Sequence, residues 1–154
     1  MNEDLPGKLL ASAYRYLSRR DHSRAELERK LTLRGFEPGQ IRDVLNHLEG
    51  SGYINDLEFA RGFVRYCQRI RRLGQRRIRQ ELESRGVGRQ AIWEAMASYD
   101  QNLEEENLEH LAKKKILSGK DVNKVASYLV RRGFLPGDAL GVARKAKENI
   151  FQQE

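Results

Sequence analysis

Three segments decide the fold: LERKLTLRGF (27–36), IRQELESRGV (78–87) and VASYLVRRGF (125–134). Each begins with an apolar residue, has a Leu four positions later, and ends in Arg-Gly followed by Phe or Val. Apolar residues four positions apart lie on one face of a helix. A Gly four residues after the Leu lets the chain leave that helix in the left-handed conformation. Each segment therefore predicts a helix that ends in a glycine turn.

The flanking residues extend each segment into a three-helix unit. Residues suited to an N-cap stand twelve positions before the glycines, at Ser23, Gly74 and Asp121. Pro38 and Pro136 suit the first turn of a following helix. A further helix precedes each segment, and in the first copy we expect it from about Gly7 to Arg19.

Apolar positions in these helices predict what they bury. In the helix after Asn55-Asp56 we expect five side chains to face inward: Phe59, Phe63, Tyr66, Cys67 and Ile70. Trp93 is expected to pack inside its helix bundle together with Ile92 and Met96.

The predicted fold is all-α, with three tandem three-helix repeats over residues 1–52, 53–99 and 100–154. No segment alternates polar and apolar residues for long enough to indicate a sheet. A unit of about 50 residues buries little core by itself. Three units in series would support one another, and we expect an elongated, curved molecule.

Composition restricts the class of protein. The 154 residues carry a net charge of +7, and a single cysteine excludes an internal disulfide. No apolar run approaches the ~18 residues that a membrane span needs, and the acidic N-terminus is unlike a signal peptide. We expect a soluble, cytoplasmic monomer with an anionic partner, either nucleic acid or an acidic protein surface.

The positive charge is concentrated in the middle repeat, where residues 53–99 hold ten basic and five acidic residues. Six arginines fall within eleven positions, and five acids cannot neutralise the ten bases. Arginine presents a planar fork that suits carboxylates and phosphates. The predicted partner-binding residues are Arg69, Arg71, Arg72, Arg76, Arg77 and Arg79.

Catalysis finds little support in the sequence. His22, His47 and His110 lie far apart, and none has a second His or Cys at metal-ligand spacing. His22 follows Asp21 just before Ser23, which favours a turn or capping role. Cys67 is expected to be a buried small hydrophobe. We predict a protein that is not an enzyme and has no metal and no cofactor.

A helix-turn-helix DNA reader is the main structural alternative, because helix, Gly turn and helix is its layout. Its second helix needs side chains that reach base edges. The corresponding helices offer few, such as Gln40 and Asn46 in the first repeat, and only the third repeat is basic there, with Arg144, Lys145 and Lys147. Two interpretations therefore stay open: a regulator of a protein partner, and a general DNA-binding module that contacts the phosphate backbone.

Over about residues 8–98 the sequence resembles the RecX family of bacterial regulatory proteins. The shared stretches are Arg20-Asp21-His22-Ser23 with Glu26-Leu27, Gly52-Tyr53-Ile54-Asn55-Asp56 with Phe59-Ala60, and Gly74 with Arg77-Ile78-Arg79-Gln80-Glu81-Leu82 and Arg85-Gly86-Val87. The third repeat matches more weakly, through Tyr128, Leu129 and Arg132-Gly133-Phe134.

The resemblance implies a fold of three tandem three-helix repeats and a partner, the RecA recombinase. Members of the family bind RecA, especially its filament on single-stranded DNA. They lie in the filament groove and restrain filament growth, ATP hydrolysis, strand exchange and the co-protease activity that triggers the SOS response. Some members also bind DNA directly.

Overall fold

A computed structural model describes residues 5–153, and all regular secondary structure in that range is helical. The helices are α1 Gly7–Arg19, α2 Arg24–Leu33, α3 Pro38–Gly50, α4 Asp56–Arg69, α5 Gln75–Ser84, α6 Arg89–Met96, α7 Gln101–Leu117, α8 Val122–Arg131 and α9 Pro136–Gln152. The all-α prediction is confirmed, and the predicted first helix has the expected bounds. Within the described range, no helix is both long and apolar enough to cross a bilayer.

The three glycine turns have the geometry that the sequence predicts. Gly35, Gly86 and Gly133 have φ values of 88°, 76° and 104°. Each glycine N–H donates to the carbonyl three residues earlier, at 2.9–3.0 Å. The next residue donates to the carbonyl of the repeat's Leu, at 3.1–3.4 Å. These paired bonds satisfy carbonyls that the helix leaves unpaired, and only glycine adopts the left-handed turn without strain.

The helix starts follow the sequence signals as well. The Ser23 hydroxyl accepts from the Glu26 N–H at 3.1 Å, and the Glu26 carboxylate accepts from the Ser23 N–H at 3.2 Å, which completes the predicted capping box. Asp121 caps α8 by accepting from the Lys124 N–H. Pro38 and Pro136 occupy the first turns of α3 and α9.

Contacts divide the described chain into two compact units. One unit comprises the residues up to Gly62 together with Leu82–Ala95, and the other comprises Phe63–Glu81 together with the residues from Met96 onward. Helices α4 and α5 therefore contribute residues to both units. The repeat boundaries after residues 52 and 99, and the elongated, curved shape, stay predictions.

In the first unit, helices α1, α2 and α3 surround a core of nine buried residues: Leu9, Ala13, Leu27, Leu31, Ile41, Val44, Leu45, Leu48 and Ile54. In the second unit, α7, α8 and α9 surround eight: Leu108, Leu111, Ala112, Val125, Leu129, Phe134, Ala139 and Ala143. The repeated Leu is fully buried in all three copies, at Leu31, Leu82 and Leu129. Burial of one such side chain contributes about 1.5–3 kcal/mol.

One docking contact occurs in both units, where the start of a middle helix rests on the glycine turn of the following copy. In the first unit, the Ser23 hydroxyl donates to the Arg85 carbonyl at 2.6 Å, and Ala25 lies against Gly86. In the second unit, the Gly74 N–H donates to the Arg132 carbonyl at 2.8 Å.

The second unit repeats the close approach as well. The Arg76 N–H donates to the Gly133 carbonyl at 3.1 Å. A Cβ on Gly133 would lie 2.5 Å from the Arg77 Cβ. The Arg-Gly pair therefore does more than end its own helix. The Arg carbonyl accepts a hydrogen bond from the start of the neighbouring helix, and the Gly, which has no side chain, lets that helix start approach closely.

Three predicted interior residues are wrong. Tyr66 is 52% exposed and Ile70 is 69% exposed. The buried face of α4 runs instead through Ala60, Val64, Cys67 and Gln68, and Tyr66 lies about 200° around the helix from Val64 and from Gln68. Trp93 is 73% exposed although Ile92 and Met96 are buried. Tyr66, Ile70 and Trp93 were assigned to the interior by their apolar residue type alone. The buried face of each helix is narrower than the run of apolar residues in the sequence suggested.

His22 has the turn role that the sequence favoured. Its ring is 3% exposed, with Nδ1 2.9 Å from the Arg20 carbonyl and Nε2 2.7 Å from Lys30 Nζ. These partners fit a neutral ring whose Nδ1–H donates to the carbonyl while Nε2 accepts from the ammonium. Burial lowers the pKa of His22 and outweighs the carbonyl hydrogen bond, while the charges of Arg20 and Lys30 add to the lowering.

The lowered pKa predicts a loss of stability in mild acid. The unfolded chain binds a proton at His22 near pH 6.5, and the folded chain binds it only at lower pH. Stability is therefore complete above that value and decreases as pH falls below it, by at most about 1.4 kcal/mol per pH unit. Urea unfolding between pH 7.5 and 5 should show this slope, and His22→Gln should remove it.

The titration of Glu26 does not interfere with that measurement. Burial opposes its ionisation, but hydrogen bonds from Arg20 and Ser23 outweigh it and hold the Glu26 pKa below 4.5. Its own contribution is lost only below the pH range measured. An identical slope in wild type and His22→Gln would show that His22 is not buried as a neutral ring.

Gly86 and Gly35 offer a matched test of the docking contact, because they occupy the same motif in the same unit. Alanine at either site requires a left-handed residue, which costs about 1–2 kcal/mol. Only at Gly86 would the new Cβ meet another atom, 2.3 Å from the Ala25 Cβ, whereas nothing lies within 4 Å at Gly35. Gly86→Ala should therefore lower the free energy of unfolding by about 1–3 kcal/mol more than Gly35→Ala. Equal losses in urea unfolding would contradict the contact.

Candidate interaction surface of the middle repeat

The six predicted arginines lie around the connection between α4 and α5, all in the second compact unit. Arg69 is the last residue of α4, Arg71 and Arg72 lie in the connection, and the others lie in the first half of α5. The structure separates them into two groups. Arg71, Arg72 and Arg77 are partly buried in internal contacts, whereas Arg69, Arg76 and Arg79 are exposed.

Arg71 forms a bidentate ion pair with Glu81 of α5. Its Nη1 lies 2.6 Å from Glu81 Oε2, and its Nη2 lies 3.3 Å from Oε1. Hydrogen bonding to this carboxylate raises the pKa of the Arg71 guanidinium. Nη1 also lies 3.8 Å from the Sγ of the buried Cys67. The pair ties the connection to the helix that follows it, so that Arg71 is committed within the fold.

Arg72 has a left-handed backbone, with φ of 53°, which is rare for a residue with a side chain. Its Nη1 donates to Asn107 Oδ1 of α7 at 3.0 Å. Asn107 is fully buried, and its Nδ2 donates to the Gln68 carbonyl at 2.9 Å. Gln68 in turn exchanges two hydrogen bonds with the backbone of Asp100. This network holds the end of α4, the connection and α7 together.

Arg77 bridges two partners. Its Nε lies 3.5 Å from Glu81 Oε1, one turn along α5, and its Nη1 donates to the Arg131 carbonyl at 3.4 Å. Because about two fifths of its side chain is exposed, the ion pair contributes little by itself. Together with the Gly133 contact, these bonds fix the start of α5 on the turn after α8.

Arg132, the arginine of the third Arg-Gly pair, also positions the connection. It is the C-cap of α8, and its Nη2 donates to the Arg71 carbonyl. Its guanidinium carbon lies 5.7 Å from the centre of the Tyr128 ring. Its Nε is buried without a hydrogen-bond partner. No sequence signal distinguishes this arginine from Arg34 and Arg85 in the same motif.

The exposed group is larger than the sequence indicated. Arg65 lies one turn before Arg69 on α4 and is also exposed. Its i, i+4 spacing from Arg69 is the sequence signal that could have identified it as part of the same surface. Tyr66 and Ile70 are exposed on the same part of α4. We call Arg65, Arg69, Arg76 and Arg79 the exposed arginines. None of their side chains forms an ion pair or hydrogen bond in the described part of the chain, so their charge is available to a partner.

The side chains that commonly bind metals do not cluster in the described residues. Across residues 5–153, no three His, Cys, Asp or Glu side chains come together as a possible metal site.

The middle repeat presents a fixed set of arginine side chains beside an exposed tyrosine and an exposed isoleucine. Arginine and aromatic side chains are enriched where proteins bind proteins.

Two family models match the chain. Residues 10–48 match the RecX first three-helix domain, and residues 55–96 match the RecX second three-helix domain. These ranges include all or most of each of the first six helices, the glycine turns at Gly35 and Gly86, and the whole arginine segment.

Similar proteins carry the same family name. The regulatory protein RecX of Prosthecochloris aestuarii is 35% identical over 87% of this chain and 90% of its own length. That of Halorhodospira halophila is 33% identical, over 90% of this chain and 88% of its own. The crystal structure of RecX from Lactobacillus salivarius has a TM-score of 0.79 at 24% identity, covering 96% of this chain and 99% of that one, which shows a common fold.

The buried network predicts a specific vulnerability. Asn107→Leu keeps the number and branching of the side-chain heavy atoms but leaves the Arg72 guanidinium and the Gln68 carbonyl without their buried partner. We expect a loss of about 2–4 kcal/mol in the free energy of unfolding. Asn102→Leu, an exposed position on the same helix, should change it by less than about 0.5 kcal/mol. Similar urea midpoints for the two variants would contradict the network.

Proposed function

Because this chain belongs to the RecX family of regulatory proteins, we propose that it binds the RecA recombinase on its single-stranded DNA filament and inhibits it. The inhibited activities are filament growth, ATP hydrolysis, strand exchange and the co-protease activity of the SOS response. In this proposal the protein acts as a cytoplasmic monomer, and its regulation comes from binding and not from a reaction of its own.

Family membership is the observation that carries the proposal. Relatives that align with nearly the whole chain are named regulatory proteins, and the matched domains include both repeats on which the resemblance rests. The charge distribution argues against a base-reading module, because most of the basic excess lies in the middle repeat and, among the helices that such a module would place in the major groove, only α9 is basic.

Three of the four exposed arginines are proposed as the principal contact. Arg69, Arg76 and Arg79 project from the end of α4 and the first turns of α5, which the Arg71–Glu81 pair and the Arg72–Asn107 bond hold in place. A binding group held on a rigid support loses little conformational entropy when the partner arrives. Arg71, Arg72 and Arg77 then act through position, and their loss would weaken binding by disturbing the support.

The direct test is RecA-dependent ATP hydrolysis on single-stranded DNA. Adding this protein in substoichiometric amounts should slow hydrolysis, because one bound regulator can block growth of a filament of many RecA subunits. An unchanged rate at equimolar protein would refute the proposal.

A triple variant tests the contact surface. Arg69→Glu, Arg76→Glu and Arg79→Glu together should raise the concentration for half-inhibition by about tenfold or more, since each reversal turns an attraction to an acidic surface into a repulsion. The matched control is Arg29→Glu, Arg34→Glu and Arg42→Glu, three exposed residues of α2, its C-cap and α3. Equal inhibition by both folded variants would remove Arg69, Arg76 and Arg79 from the proposal without affecting the RecA assignment.

A further inference from the structure

A basic cleft of about 700 Å³ lies in the third repeat, between the last turn of α7 and the outer face of α8. Four cationic side chains line it: Lys115, Lys120, Lys124 and Arg131. Asn123 and Ser127 add a side-chain amide and a hydroxyl. The volume is in the range of small-ligand sites, ~300–1,000 Å³, but the lining is polar and positively charged.

The positive charge of this cleft is only partly compensated. Asp121 is the one acid in the lining, where it caps α8 by accepting the Lys124 N–H at 2.9 Å, and its single negative charge leaves three of the four positive charges in excess. None of the four cations forms an ion pair with a carboxylate in the part of the chain that the structure describes. Four like charges around one cleft repel one another, so an anion that binds among them gains from all four.

The spacing of these residues is regular. Lys124, Ser127 and Arg131 follow one another by three and four positions, which places them along one face of α8, and Lys120 lies just before the N-cap of that helix. The helix therefore holds a line of donors, whose part from Lys124 to Arg131 spans about 10 Å. This is an arrangement for an elongated anion or for several anionic groups in series.

Tyr128 favours an ionic ligand over a stacked base. Lys115 Nζ lies over its ring, 4.4 Å from the ring centre, and the Arg132 guanidinium lies 5.7 Å from the same centre. These cation–π contacts hold Lys115 at the edge of the cleft. They also occupy the ring, so that it is not offered as a platform for a base.

The cleft lies where the other two copies make their docking contact. The starts of α2 and α5 each rest on the glycine turn of the next copy, through Ser23 and Ala25 and through Gly74 and Arg76. The corresponding residues of the third copy are Asp121 and Asn123, at the start of α8, and both line the cleft.

We propose that this cleft is a phosphate-binding site. Lysine binds phosphate as a compact point charge and arginine binds it through its planar fork, and the cleft offers three lysines and one arginine. Asn123 and Ser127 can donate further hydrogen bonds to phosphate oxygens. The phosphate can come from a nucleic-acid strand or from the polyphosphate of a free nucleotide. The site shares no side chain with the exposed arginines, and its test contains no RecA.

The test compares two charge-neutralised variants by fluorescence anisotropy with a labelled oligo-dT. One carries Lys120→Gln, Lys124→Gln and Arg131→Gln. The control carries Lys8→Gln, Arg15→Gln and Arg19→Gln, which removes three exposed cations from one helix with the same total charge. The cleft variant should bind about tenfold more weakly than the control. Its plot of log K against log salt should be shallower by about 2, because each lost phosphate contact removes about 0.7 from the slope.

Competition identifies the source of the phosphate. If ATP displaces the oligonucleotide from the control protein at micromolar concentration, the cleft accepts a free polyphosphate. If only oligonucleotides compete, the ligand is a strand. A glutamate-rich peptide of equal charge that competes equally well would overturn the phosphate assignment, as would equal affinity and salt slope for the two variants.

Discussion

The contact on which much of the structure depends is a helix start that rests on an Arg-Gly turn. In the second unit the Gly74 N–H reaches the Arg132 carbonyl, and the Arg76 N–H reaches the Gly133 carbonyl. Neither glycine could carry a side chain there, since a Cβ on either would lie 2.5 Å from backbone atoms of the opposing segment. Backbone hydrogen bonds at this range fix direction as well as distance, and the side-chain bonds of Arg77 and Arg132 reinforce the same junction.

This junction decides what each arginine can do. With the start of α5 fixed, Arg71 meets Glu81 and Arg72 meets Asn107, so these two are used within the molecule. Arg69, Arg76 and Arg79 point away from the same support. A cluster that is uniform in sequence thus divides into residues that hold a surface and residues that form it. A partner would meet the second group, at a geometry set by the first.

The sequence predicted the helices well because their signals are local. The Leu spacing, the Ser23 capping box, the glycines at positive φ and the prolines at helix starts each act within a few residues. The sequence predicted poorly which arginines are used inside the fold and which are exposed, because their hydrogen-bond partners lie far away along the chain. Asn107 is 35 residues from Arg72, and the Arg131 carbonyl is 54 residues from Arg77. Tyr66, Ile70 and Trp93 failed for a related reason, since apolar type alone does not say how wide a buried stripe will be.

The exposed side chain of Trp93 has a practical consequence. It is the single tryptophan of the chain, and it lies mostly in solvent on α6. Its indole already has a watery environment in the native state, so its emission should change little when the protein unfolds. For that reason Trp93 is a poor reporter of folding. It is a good reporter of a molecule that covers α6, because the ring would lose its contact with water only when such a molecule binds. Tryptophan fluorescence of this protein therefore reports the binding of another molecule at α6 and not the folding of the chain.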